Sequence, residues 1–220
     1  MAHGLDRRAL VAGGAGLITL GSPLIARAQS VLTPPQIEGP FYPYALPPEY
    51  DTDLVKLGAG DARAMGEVTH LLGTVWYPDG TPMADALVEI WQCDVNGRYR
   101  HPDDHESRTP DLQFQGYGRT TTGRDGTFHF RTIKPVSYTV TAMSPPLTRA
   151  PHVHVAVSTH GVRRLTSQLY VAGEPLNDGD MALAMVADPV QRAGLIRPYE
   201  DGAAFEPGAL TVRYDLVVMV

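Results

Sequence analysis

Apolar positions along this chain recur at every second residue in short runs, and glycine, proline and aspartate cut the runs apart. Alternation of this kind places one set of side chains on one face of a strand. Residues 71–77 form such a run and end at Pro78-Asp79-Gly80, a turn signal. Residues 86–93 carry Val88, Ile90 and Trp91 and are bounded by Asp94 and Asn96-Gly97. Arg124-Asp125-Gly126 is a second turn, followed by Phe128 and Phe130 at period two. Residues 138–142 are β-branched and aromatic, and 152–157 alternate with Val153, Val155 and Val157 on one face. Residues 166–171 and 211–220 complete the set. Only 180–193 reads as helical, and Pro189 interrupts it. About eight short strands separated by turns predict an all-β fold, a β-sandwich with one short helix.

Composition narrows this to one domain. The chain has 220 residues, 43% hydrophobic and 19% charged, enough for one core and too apolar for global disorder. Its 22 glycines and 19 prolines suit a turn-rich fold better than a helical bundle. Residues 29–65 are proline-rich without periodicity and read as an extended N-terminal arm, leaving 66–220 as the sandwich domain. Ahead of them, Asp6-Arg7-Arg8 precedes an apolar run rich in glycine and alanine, and Ala26-Arg27-Ala28 follows. Residues 1–28 therefore read as a signal peptide of the twin-arginine type. The expectation is an exported protein, periplasmic or extracellular, with no membrane span once the signal is removed. Cys93 is the one cysteine, so no internal disulfide can form. The net charge of −6 makes nucleic acid a poor partner.

The candidate chemistry begins at His152-Val153-His154. Residues i and i+2 of a strand share a face, so both imidazoles lie side by side as half of a metal site. The same spacing would also suit the polar, solvent-facing side of an edge strand. Arg149 lies three residues earlier, and a cation there opposes a metal ion unless anions are present. Tyrosinates would supply them, and Tyr99 follows one strand while Tyr138 begins another. A phenol ionises near about pH 10, so it ligates well only beside a strong Lewis acid such as Fe(III). With ten tyrosines in the chain, either one taken singly could equally be a core aromatic. Arg149 could be a surface arginine and Gln168 a strand residue satisfying backbone groups. His101 and His105 lie in a polar segment and read as solvated; together with His152 and His154 they would instead suit a copper or zinc hydrolase. His129 reads as exposed or structural, and His70 and His160 carry no spacing argument. A non-catalytic, transthyretin-like sandwich would explain the strands but not the Tyr, Tyr, His, His set.

Five ordered blocks carry a family resemblance: TPPQIEGPFYP (33–43), VEIWQCDVNGRYRHP (88–102), FQGYGRTTTGRDGTFHFRTIKP (114–135), RAPHVHVAV (149–157) and LTSQLYVAGEPLND (165–178). They resemble the intradiol ring-cleavage dioxygenases. The short arm and full ligand set are similar to the iron-bearing subunit of the protocatechuate type. The resemblance implies one Fe(III) per chain held by Tyr99, Tyr138, His152 and His154. It implies Arg149, Gln168 and Tyr138 as catalytic groups, Tyr138 being the ligand that leaves when substrate binds. It further implies a catechol and O2 as substrates, ring cleavage to a cis,cis-muconate, and a place in aromatic compound catabolism. The arm suggests a homo-oligomer or pairing with a second subunit. Val136-Ser137-Tyr138-Thr139 stands where the family often has Gly-Pro-Tyr-Pro, a departure that bears on the shape of the pocket.

Overall fold

The structure, a computed structural model, describes residues 31–220. The twin-arginine signal falls outside them. Two five-stranded sheets face each other. The first is built on β1 (Val68–Trp76), and the second on β2 (Leu87–Trp91) and β3 (Tyr117–Thr121). β4 (Thr127–Ile133) pairs antiparallel with β1. A separate two-stranded hairpin joins β5 (Tyr138–Val140) to β6 (Leu147–Arg149). β7 (His152–Thr159) and β8 (Val162–Val171) return to the second sheet, followed by the short β9 (Ile196–Arg197). Its order is β3-β2-β7-β8-β9, which makes β7 the middle strand. β10 (Glu200–Asp201), β11 (Leu210–Arg213) and β12 (Leu216–Val217) complete the first sheet around β1. The all-β sandwich is as expected.

Period-two alternation explains the core. Val153, Val155 and Val157 point inward from β7 and meet Val88, Ile90, Leu71, Phe128 and Phe130, all within one buried cluster. The opposite face of β7 is also buried, since every residue of the strand is. That second burial comes from the arm together with Tyr138 of the β5–β6 hairpin. Thr33 pairs with Val217, Gln36 with Thr166, and the Pro34 carbonyl accepts from the Ser167 hydroxyl.

Besides the short β6, β9 and β10, which were not foreseen, three stretches differ from expectation. β3 was not foreseen, because Tyr-Gly-Arg-Thr-Thr shows no apolar alternation; pairing with β2 makes it a strand. The C-terminal strand is two pieces. Where Thr74 would meet a backbone partner, the Asp215 carboxylate accepts its N–H instead. The chain presses so close there that a Cβ on Gly73 would lie 2.0 Å from the Tyr214 carbonyl oxygen. The helical stretch is likewise two pieces, α1 (Met181–Ala184) and α2 (Pro189–Gly194). Pro189 starts α2 rather than kinking one longer helix, which suits a residue lacking an N–H.

Candidate metal centre

His152 and His154 leave β7 on the face away from the valines, as strand geometry requires. They do not lie on an edge strand facing solvent: β7 is central, and the two residues are 1% and 2% exposed. Their Nε2 atoms are 3.1 Å apart, and the Tyr99 hydroxyl lies 3.2 Å from Nε2 of His154. Tyr138 closes the group. Its ring is 5.1 Å from that of Tyr99 and 5.6 Å from that of His152. Different elements deliver the four residues. Tyr99 sits beyond β2 in a turn where Asp94 and Asp104 accept backbone N–H groups, including that of Tyr99 itself. Tyr138 opens the β5–β6 hairpin, directly across from Arg149.

The donor set fits a metal ion. The Ala150 carbonyl can only accept, so His152 donates to it from Nδ1 at 2.6 Å and keeps a lone pair on Nε2. Separations near about 3 Å are what neighbouring ligand atoms show when each sits roughly 2.0–2.2 Å from one ion. Among the described residues no group of three His, Cys, Asp or Glu could hold a cation, so a cation here would need the phenols as well. Electrostatics agrees. Burial, then Arg149, pushes His152 down to about 3, and burial with His152 and Arg149 holds His154 well below its usual value. Both imidazoles stay neutral, the form that ligates. Burial raises Tyr99 and Tyr138, so neither phenol ionises without a strongly acidic ion beside it.

The surroundings fix these groups. Trp91 stacks on His154 at 4.8 Å, almost parallel, and Phe41 stacks on Tyr99 at 4.5 Å. Gly39 in the arm has φ +76°, and a Cβ there would lie 3.4 Å from Cε1 of His154. The positive φ, more than the approach, favours a residue without a side chain here. Arg149 is no surface residue: it is 4% exposed at the end of β6. It reaches Gln168, which donates in turn to the Ile37 carbonyl of the arm. Gln168 thus serves a backbone group and the arginine together. His105 is exposed, and His101, expected in solvent, is buried against Phe41 and Tyr44. The structure therefore does not gather a four-histidine site.

Sequence reasoning missed Asp180. Its carboxylate accepts from Nε of Arg149 at 2.8 Å and from Nη2 at 3.1 Å, entirely out of solvent. No local spacing announces a pair 31 residues apart. Trp91 was visible as a strand residue and Gly39 lay in the arm, but nothing local marked them as neighbours of His154.

Known proteins resemble this chain along most of its length. The dioxygenase family model matches residues 37–219. Catechol 1,2-dioxygenase 1 of Acinetobacter lwoffii is 34% identical over 162 residues, 69% of this chain and 50% of that protein. The protocatechuate 3,4-dioxygenase beta chain of Burkholderia cepacia is 31% identical, covering 76% of this chain and 71% of that one. This chain thus spans about half the length of the catechol-named relative and more of the protocatechuate-named one. Among solved structures, the dioxygenase domain of a dioxygenase–carbohydrate-binding fusion from Streptomyces sp. SirexAA-E superposes with a TM-score of 0.57. It is 29% identical and covers 86% of this chain and 100% of that one. With the family model spanning most of the sequence and the sandwich shared, the chain belongs to the intradiol dioxygenase family.

Proposed function

We propose that this protein is a non-haem Fe(III) enzyme that cleaves a catechol between its two hydroxyl-bearing carbons, incorporating both atoms of O2 to give a cis,cis-muconate. The observation that carries the reading is the convergence of Tyr99, His152 and His154 at 3.1–3.2 Å with Tyr138 beside them. One Fe(III) bound there would act as a Lewis acid that draws electron density from a chelated catechol. Two phenolates and two neutral imidazoles favour the ferric over the ferrous ion.

The chain's own groups supply the rest. Tyr138 is the group suited to leave the centre and take a catechol proton on its phenolic oxygen. It belongs to the β5–β6 hairpin outside both sheets, so it can shift without breaking the sandwich. Tyr99 is held by the stacked Phe41 ring and by Asp104, which suits a permanent ligand. Arg149 lies across the hairpin from Tyr138 and keeps its charge. Burial opposes that charge, but the Asp180 carboxylate together with Tyr138 and Tyr170 outweighs burial. It stands where negative charge builds on the ring, and preorganised cations of this kind stabilise such transition states. Gln168 orients Arg149 and ties it to the arm.

The test is oxygen uptake by ferric-loaded protein with catechol, protocatechuate, hydroxyquinol and larger plant-derived catechols, read alongside the visible spectrum. The expected result is a red-brown protein that consumes one O2 per catechol. A colourless ferric-loaded protein would overturn the reading. We further propose export by the twin-arginine signal and subunit pairing through the arm. Cell fractionation tests the first and solution mass measurement the second.

A further inference from the structure

Arg149 poses an electrostatic problem: a cation beside two imidazoles opposes a metal ion. The structure answers it with Asp180. One carboxylate oxygen accepts from Nε of Arg149 at 2.8 Å and from the Ala150 N–H at 3.0 Å. The other accepts from Nη2 of Arg149 at 3.1 Å, from Ala182 and Leu183 N–H at 3.0 Å each, and from the Tyr170 hydroxyl at 3.3 Å. Gln168 takes Nη2 as well, at 2.6 Å. Among the described residues nothing accepts from Nη1, so one edge of the guanidinium is left over.

We propose that Asp180 is a positioning residue that turns Arg149 so that its Nη1 edge faces the substrate, and that steadies His152 through Ala150. This rests on the functional reading above. The link to His152 is short. Asp180 holds the Ala150 N–H, and the Ala150 carbonyl accepts from Nδ1 of His152. One carboxylate thereby fixes the site's cation and the tautomer of a ligand. Because the ion pair is balanced, Arg149 can donate hydrogen bonds near the metal without adding net positive charge.

Helix capping alone does not account for Asp180. Asp188 caps α2 in the same way, accepting from Val190 and Gln191 N–H, yet it is exposed and contacts neither Arg149 nor any proposed ligand. Capping needs no burial, whereas the Asp180 side chain is 0% exposed. What distinguishes the two aspartates is Arg149.

The experiment compares Asp180→Asn with Asp188→Asn, first in metal-free protein and then in ferric-loaded enzyme. In metal-free protein, NMR should show a slowly exchanging Arg149 Nε–H in wild type and in Asp188→Asn, and its loss in Asp180→Asn. An unchanged signal in Asp180→Asn would overturn the proposal whether or not any catechol is cleaved. In loaded enzyme, Asp180→Asn should lower kcat by about 10–100-fold with little change in KM, while Asp188→Asn stays within about 2-fold. In an Arg149→Met background, Asp180→Asn should then cost less than about 2-fold more. An equal loss in both backgrounds would mean that Asp180 acts on the fold and not through Arg149. Should Asp180→Asn fail to fold, Asp180→Glu keeps the charge and displaces the guanidinium. It should move the Arg149 signal and lower kcat by an intermediate amount; an unmoved signal with wild-type kcat would overturn the idea.

Discussion

Two pairs of histidines in this molecule have almost the same geometry and different fates. His152 and His154 bring their Nε2 atoms to 3.1 Å, and Nδ1 of His70 lies 2.9 Å from Nε2 of His129. The first pair occupies one strand at i and i+2. The second crosses from β1 to β4 on the outer side of the first sheet, where the register sets His70 opposite Arg131 and His129 opposite Leu72. Nitrogen spacing does not separate them; surroundings do. His152 and His154 are buried among two phenols with no free carboxylate near. His70 is buried but His129 is exposed, Phe205 stacks on His70, and Glu206 lies 3.6 Å from the other nitrogen of His70. That carboxylate is already committed to Arg131, at 2.6 and 3.0 Å. The outer pair lies within hydrogen-bonding distance, but among the described residues the anion beside it, Glu206, is taken by Arg131. A close imidazole pair is suited to a metal ion only where unspent donors could close the coordination.

The largest expected effect is on metal content. His152→Ala or His154→Ala should reduce bound iron to background, whereas His70→Ala and His129→Ala should keep one iron per chain, as elemental analysis would show. Iron retained in His154→Ala, or lost in His70→Ala, breaks the comparison. Next comes Tyr99→Phe. It should remove most of the visible charge-transfer band and lower kcat by more than the roughly 10–100-fold typical when a ligand merely loses its hydrogen-bond partner. A full band in that variant would remove Tyr99 from the ligand set. Gly39→Ala is smaller. A left-handed residue with a Cβ costs about 1–2 kcal/mol, and the added methyl would only touch His154. Urea unfolding of metal-free protein should show the loss.

The smallest effect belongs to the outer pair and depends on pH. Partial shielding of its ring from water, then His70, holds the pKa of His129 below its usual 6.5. As pH falls below about 6.5 the unfolded chain takes up a proton that the folded chain refuses, so stability declines. Arg131 holds Glu206 below the usual carboxylate range, so its contribution is present at neutral pH and lost at more acidic pH, as the folded carboxyl finally protonates. His129→Gln should therefore flatten the fall in the urea midpoint between pH 7 and pH 5 while leaving iron content unchanged. An unaltered slope would mean that His129 does not sense the fold.

The sequence was legible where a period controls the outcome. Alternation placed Val153, Val155 and Val157 in the core and put both imidazoles on one face, and that survived intact. Where partners lie far apart in the chain, periodicity had nothing to offer. Tyr117 and Gly118 form β3 only because β2 accepts them. Residues 211–220 look like one strand, but the Asp215 side chain replaces a backbone partner and splits it. Tyr99 and Tyr138 resembled the other tyrosines locally. Tyr42 and Tyr117 are also held in a polar network, donating to the buried Glu89, and nothing in their flanks says that they belong to the arm's anchorage and not to the centre. Asp180 read as a helix start, and so it is, but its larger partner is across the fold.

The arm carries a consequence for the order of events during synthesis. Thr33 is bonded in both directions to Val217, with the Thr33 N–H donating to the Val217 carbonyl and the Val217 N–H to the Thr33 hydroxyl, across 184 residues. Between that tie and the Tyr42–Glu89 anchorage lie Gly39 and Phe41, which cover His154 and Tyr99. Loop closure over so long a span cannot precede the emergence of Val217 from the ribosome. The outer end of the roof is therefore tied down only once Val217 is available, whereas Pro34, Gln36 and Ile37 can already bond β8 when Thr166, Ser167 and Gln168 have emerged, so the cover over His154 and Tyr99 closes from its inner end outward.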